Sequence, residues 1–361
     1  MGSCNFKSDN EESEVQITKT HFQTMYVVGK GGFGKVWKVE LKKTRELFAM
    51  KEMSKARILL KKSVNSVMNE RKLLSILRHP FIVNMQFAFQ DRENLFLVMD
   101  YKSGGDLRFH LGHHKCFSEP QTKFFVACIL VALEYLHNNG ILHRDVKPEN
   151  LVLDNKGYVH LTDFGIARVW NPENARDTSG TPGYMAPEVM CRQNHGVAAD
   201  YFAVGVIVYE FMFGRRPYQG KSRKEIRESI LAKQVQIKRD EIPEGWSLEA
   251  ADFVNKLLQR KPVNRLGLNG PDEVKSHVWL HEVNWENFVK KQIPACFVPS
   301  DSEDNFDMRL HLNNGNWKDE NSSLLAENAQ LLRSNATQNM FAGYFFDINQ
   351  QNSQTETTNA K

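Results

Sequence analysis

No apolar run in the sequence reaches the ~18 residues that a membrane-spanning helix requires, and the first residues lack the apolar stretch of a secretory signal. The expectation is a soluble domain. Cysteine is scarce: Cys4, Cys116, Cys128, Cys191 and Cys296 are odd in number and widely spaced, with no C-x-x-C pair. That pattern argues against a disulfide framework and the common zinc and redox motifs, and it favours a reducing, cytoplasmic setting. Excess charge of one sign is missing too. A net charge of +4 over 361 residues is too small to argue for a nucleic-acid surface. There is no internal repeat. The length fits one two-lobed unit of roughly 260 residues with short extensions.

Residues 1–21 are polar and net acidic, with Asp9, Glu11, Glu12 and Glu14 against Lys7 and Lys19, and are expected to be a flexible extension. Short runs rich in β-branched and aromatic residues predict strands over 22–28, 36–41, 47–53 and 95–101, with a helix over 66–77. Past Ser103-Gly104-Gly105 the pattern turns helical, with an apolar helix over 122–137 and a segment over 201–213 that is apolar nearly all round. The expected architecture is α+β: a small, mostly antiparallel sheet with one helix at about 22–101, and a larger helical lobe at about 102–280. The tail, 281–361, is punctuated by proline and then rich in asparagine, and is expected to wrap the domain or be partly disordered.

Four clusters carry chemistry. Val28-Gly29-Lys30-Gly31-Gly32-Phe33-Gly34-Lys35-Val36 contains a G-x-G-x-x-G-x-V loop, where missing side chains let backbone N–H groups approach phosphate oxygens. A dinucleotide-binding fingerprint has similar spacing but needs a helix next, whereas Val36 begins a strand pattern. Lys51 lies on the third predicted strand, within reach of a nucleotide under that loop. Glu70 shares a helical face with Val67, Leu73, Leu74 and Leu77, so its carboxylate needs a counter-ion, and Lys51 is the natural one. His143-Arg144-Asp145-Val146-Lys147-Pro148-Glu149-Asn150 matches H-R-D-x-x-x-x-N at every fixed position, and Asp163-Phe164-Gly165 follows. In this pattern Asp145 takes the proton of an acceptor hydroxyl, Lys147 neutralises the transferring phosphoryl group, and Asn150 and Asp163 hold magnesium.

With Ala186-Pro187-Glu188, this ordered set resembles the eukaryotic protein kinase family over about residues 22–280. The resemblance implies the two-lobed kinase fold, ATP and Mg2+ as cofactors, and catalysis by Asp145, Lys147, Asn150, Lys51 and Glu70. It implies that Val36, Ala49 and Val152 sandwich adenine, that Met99 is the gatekeeper, that backbone groups of Asp100 and Lys102 meet the base, and that Asp106 meets the ribose. Glu188 would pair with Arg265, and Asp200 would steady the catalytic loop. Lys147 with Thr181 resembles the serine/threonine branch. Pro294-Ala295-Cys296-Phe297-Val298-Pro299, Asn305-Phe306-Asp307 and Phe341-Ala342-Gly343-Tyr344 resemble the tail of the AGC group, which includes the cyclic-nucleotide-dependent kinases; Gly104 to Arg108 and Gly214 to Tyr218 resemble its YANK-type members. A pseudokinase or nucleotide-binding scaffold is the competing reading, and it would be favoured by loss of Lys51, Asp145 or Asp163. All three are present.

Three expectations concern partners and control. Asp106, Glu149 and Glu210 stand at positions resembling the acids that AGC kinases use for arginines before the acceptor, which implies protein substrates with basic residues near Ser or Thr. Glu210 sits in an apolar helix, so its counter-ion is either a substrate guanidinium or an arginine of the chain itself. In the activation loop, the same resemblance places Asp177 where many AGC relatives hold a phosphothreonine, so that Arg144 and Arg168 could meet it, or else Asp177 is a solvated loop residue and Thr178 beside it is the phosphosite; Ser66 replaces a common histidine, and Gly183 a common acid. Met1-Gly2-Ser3-Cys4 suits acylation of Gly2 and Cys4, although Phe6 departs from that signal, so the expected localisation is cytoplasmic with membrane association left open.

Overall fold

The computed structural model describes residues 16–300, 305–306 and 322–351. Gly2 and Cys4 lie outside the described residues. Strands β1 (Phe22–Lys30), β2 (Gly34–Leu41) and β3 (Leu47–Ser54) lead through helices α1 (Lys55–Leu60) and α2 (Val64–Ile76) to β4 (Met85–Gln90) and β5 (Asn94–Asp100). Period-2 alternation decides the two faces of the sheet. Leu95, Leu97 and Met99 of β5 turn toward α2 and the main core, while Phe96 and Val98 join Phe22, Val39, Met50, Phe87 and Phe89 in a second cluster on the far face. The antiparallel register sets Lys51 opposite Val36 and Ala49 opposite Met99. That register brings the glycine loop, the lysine strand and the gatekeeper strand side by side.

The larger lobe follows. It holds α3 (Leu107–His114), α4 (Glu119–Asn138), the short strands β6 (Ile141–Leu142), β7 (Leu151–Leu153), β8 (Val159–Leu161) and β9 (Arg168–Val169), then α5 (Pro187–Met190) and α6 (Ala198–Phe213). Helix α4 opens with a capping box in which Ser118 and Gln121 satisfy each other's backbone N–H groups. Helix α6 is buried from Ala198 to Met212, and at Gly205 an added Cβ would stand 2.7 Å from the Cβ of Leu257, so α6 touches the helix Leu248–Leu257 there. A helix enclosed on all sides gives Asp200 and Glu210 a rigid mount.

Several expectations change. Strand β4 and helix α1 were not read from the sequence, and helix α4 extends three residues before the expected start. Residues 18–21, assigned to the flexible extension, make a short 3-10 turn tied to the sheet by Lys19 on Glu52 at 2.8 Å and Lys42 on the Thr20 carbonyl at 2.8 Å. In the tail, helices Ser322–Leu331 and Asn335–Asn339 precede β10 (Phe346–Asp347), which pairs with β4 and makes the sheet six-stranded in the order β1-β2-β3-β5-β4-β10.

Candidate active site

The glycine loop joins β1 to β2, and the Gly31 N–H donates to the Gly34 carbonyl at 2.8 Å. Gly34 has a packing reason to be glycine: an added Cβ would lie 1.7 Å from the Glu52 carbonyl oxygen. At Gly29, Gly31 and Gly32 an added Cβ would meet no protein atom closer than 3.5 Å, and none has a positive φ. Nothing among the described residues requires glycine at these three positions, so the room they leave suits an external group whose oxygens approach the backbone. Phe33 lies beneath Lys61, whose ammonium also donates to the Gly32 carbonyl at 2.6 Å. Lys30 pairs across the loop with Lys35, and the Lys35 ammonium lies over Trp37.

Beneath the loop, Lys51 Nζ is 2.7 Å from Glu70 Oε1 and 3.6 Å from Asp163 Oδ1. Burial alone would lower the Lys51 pKa, but Glu70 and Asp163 outweigh it and keep the ammonium charged. Lys51 in turn holds Asp163 below the usual carboxylate range. Val28, Val36, Ala49 and Met99 lie on the adjoining strands, and Val152 approaches from β7, bridged to Asp106. The Asp100 N–H is engaged by the Asn84 carbonyl at 3.0 Å, so a base contact from Asp100 would use its carbonyl. Its carboxylate accepts from Gln86 at 2.7 Å and lies 3.6 Å from the Lys102 ammonium. Asp106 caps α3, accepting from the Phe109 N–H at 2.8 Å, and burial raises its pKa to about 6.

The catalytic-loop residues converge on one carboxylate. Asp145 Oδ1 accepts from the Thr181 hydroxyl at 2.7 Å and its N–H at 3.0 Å; Oδ2 accepts from Lys147 at 2.6 Å and from the Asn150 amide at 3.2 Å. The Asn150 amide also donates to the Asp145 carbonyl, which leaves its oxygen for a metal. Asn150 and Asp163 supply hard oxygen donors, and magnesium characteristically keeps water and phosphate as its remaining ligands. The donor set therefore fits. Asp200 supports the loop from α6, accepting the backbone N–H groups of His143 at 3.0 Å and Arg144 at 2.7 Å and the His137 ring at 2.9 Å. Glu188 and Arg265 form a buried two-pronged pair at 2.6 and 2.8 Å.

The activation segment and the acidic cluster depart from expectation. Arg144 reaches Asp177 at 3.4 Å, but Arg168 turns to Ser66 at 3.3 Å rather than joining it. Thr178 is held through its carbonyl by Arg223 at 2.7 Å. Glu210 takes its counter-ion from the chain: Arg108 Nη1 and Nη2 stand 3.0 and 3.1 Å from its two oxygens, while Nε donates to Glu149 at 2.9 Å. The Tyr184 hydroxyl donates to Glu210 and also contacts Arg108. Of the two counter-ions considered for Glu210, the arginine of the chain itself is the one present. Asp106 caps a helix, and a guanidinium joins the other two. No spacing rule in the sequence links Arg108 to carboxylates 41 and 102 positions away.

The family of the protein kinase domain matches residues 22–280. The chain is 39% identical over 309 residues to serine/threonine-protein kinase AtPK1/AtPK6 of Arabidopsis thaliana, covering 82% of this chain and 65% of that one. It is 38% identical to Protein kinase 2 of Dictyostelium discoideum, covering 81% and 60%, and 38% identical to ribosomal protein S6 kinase alpha-1 of Homo sapiens, covering 78% and 38%. It thus spans 65% or less of the length of these relatives. Matching motifs, fold and relatives agree: the chain belongs to the eukaryotic protein kinase family, among its AGC-type serine/threonine members.

Proposed function

We propose that this protein transfers the γ-phosphoryl group of ATP to serine or threonine hydroxyls of other proteins. The observation that carries this reading is the joint placement of Asp145, Lys147, Asn150 and Thr181 in one hydrogen-bonded cluster beside the Lys51, Glu70 and Asp163 chain. Asp145 orients the acceptor hydroxyl and takes its proton, and Lys147 faces the negative charge that spreads over the transferred group. Lys51, held by Glu70, positions the α and β phosphates. Asn150 and Asp163 would hold magnesium, whose charge would offset that of the phosphates. Catalysis here is positioning and electrostatics, so groups fixed before the reaction are what count. A scaffold that only binds nucleotide would have no need of the Asp145 cluster.

The expected preference for arginine near the acceptor rests on Asp106, Glu149 and Glu210, and Arg108 already pairs with the last two. In a labelled-ATP assay with magnesium and a peptide array, Asp145→Ala should lose about 10²–10⁴-fold in rate. Lys51→Met should also be inactive with its circular dichroism unchanged. Wild-type turnover by Asp145→Ala would refute the assigned role.

A further inference from the structure

Glu210 is 6% exposed at its side chain, Glu149 43% and Arg108 33%, so the guanidinium is a lid over a buried carboxylate. All three Arg108 nitrogens are engaged: Nε by Glu149, Nη1 by Glu210, and Nη2 by Glu210 and the Tyr184 hydroxyl. Two members of the cluster lie close to the reacting carboxylate along the chain. Glu149 follows Asp145 in the catalytic loop, and Tyr184 follows Thr181, whose hydroxyl donates to Asp145. A side chain entering beside the acceptor would meet this cluster.

A second cation stands next to it. Arg216 lies over the Tyr184 ring at 5.8 Å, and its Nη1 would be 1.9 Å from a Cβ added at Gly183. The space that an acid at position 183 would take is thus filled by a guanidinium. Two carboxylates that could recognise a cation already share one guanidinium, and a neighbouring position has no carboxylate.

We propose that Arg108 is a built-in substitute for a substrate arginine, filling the guanidinium site formed by Glu149, Glu210 and Tyr184. It rests on the kinase reading and assigns the specificity of the same site: acceptor segments are chosen without an arginine being read there. The competition favours the resident group. A tethered group acts at an effective concentration of about millimolar even on a flexible linker, and Arg108 is held on a helix. An incoming arginine would also have to expel Arg108 from three hydrogen-bonding partners to gain the same ones.

The test measures kcat/KM on paired peptides with arginine or alanine two and three residues before the serine. For wild type, the arginine-to-alanine ratio should stay within about threefold. For Arg108→Ala it should rise about tenfold or more, the size of one charge-assisted hydrogen bond, and Arg108→Ala/Glu210→Gln should bring it back toward wild type. A tenfold arginine preference in wild type overturns the inference even if Arg108→Ala fails to fold. An unchanged ratio in folded Arg108→Ala overturns it as well. In both cases the kinase reading survives, because the wild type is active; a wild type that phosphorylates no array peptide removes that reading and this inference with it.

Discussion

Asp106 shows how one carboxylate can serve two needs. It caps α3 through the Phe109 N–H, and burial, with Glu149 adding repulsion, raises its pKa from 3.8 to about 6. The folded state therefore holds its proton more tightly than the unfolded state, and between pH 3.8 and about 6 stability falls as pH rises. Asn in its place keeps an oxygen for the cap and does not ionise. Thermal melts of Asp106→Asn against wild type should coincide near pH 4 and separate in favour of the variant as pH rises through 6. A gap that stays constant with pH would mean that Asp106 is not the titrating group. Glu70 and Lys51 present the opposite case, because their pairing was legible from the sequence. A carboxylate at helical spacing with leucines demands a cation, and the strand register supplies Lys51 at 2.7 Å.

At the scale of the element, the activation segment is held at several points by groups of the chain itself. Asn174 exchanges hydrogen bonds with the His195 backbone at 2.7 and 2.8 Å, β9 pairs with β6, Arg223 holds the Thr178 carbonyl, and Arg144 meets Asp177. We propose that this order permits basal activity without loop phosphorylation. A carboxylate brings about one negative charge where a phosphate brings about −1.5 to −2, so the ordering is partial. Protein shown by mass spectrometry to be unmodified from Val169 to Thr181 should turn over peptide, and Asp177→Ala should slow it severalfold. Inactivity until Thr178 is phosphorylated would count against this proposal.

The whole molecule is closed by its tail. Phe297 packs against His110 and Phe117, Phe306 stacks on Tyr26 at 5.5 Å, and Asn305 donates to the Ser103 carbonyl at 3.2 Å, so the tail passes beside the connection between lobes. Gly105 has φ +71°, and an added Cβ would stand 1.9 Å from the Asn305 carbonyl oxygen, which explains glycine there. Further on, Phe341 and Tyr344 are buried, Gln90 donates to the Phe341 carbonyl at 3.0 Å, and Lys55 donates to Gln338 at 2.8 Å. Phe341→Ala should cost about 3–5 kcal/mol in urea unfolding. Tyr344→Phe should cost nothing measurable, because the Tyr344 hydroxyl has no hydrogen-bond partner among the described residues. Equal losses in the two variants would contradict this account of the tail.

The sequence by itself determined the family, the reaction class and the residues brought to Asp145 and Lys51. Those groups lie in short motifs whose internal spacing is the chemistry: a loop that presents Asp145, Lys147 and Asn150 together needs no distant information. Helices α2 and α6 were legible because their burial shows as helical periodicity or as apolar residues all round. Tertiary structure alone decided the partners of long side chains. Arg108 could have pointed to solvent, and its capture by Glu149 and Glu210 follows from where α3, the catalytic loop and α6 meet. Arg168 likewise turned to Ser66 because α2 lies beside it. Strand β10 was hidden for the same reason: its two residues carry no pattern of their own and become a strand only against the free edge of β4.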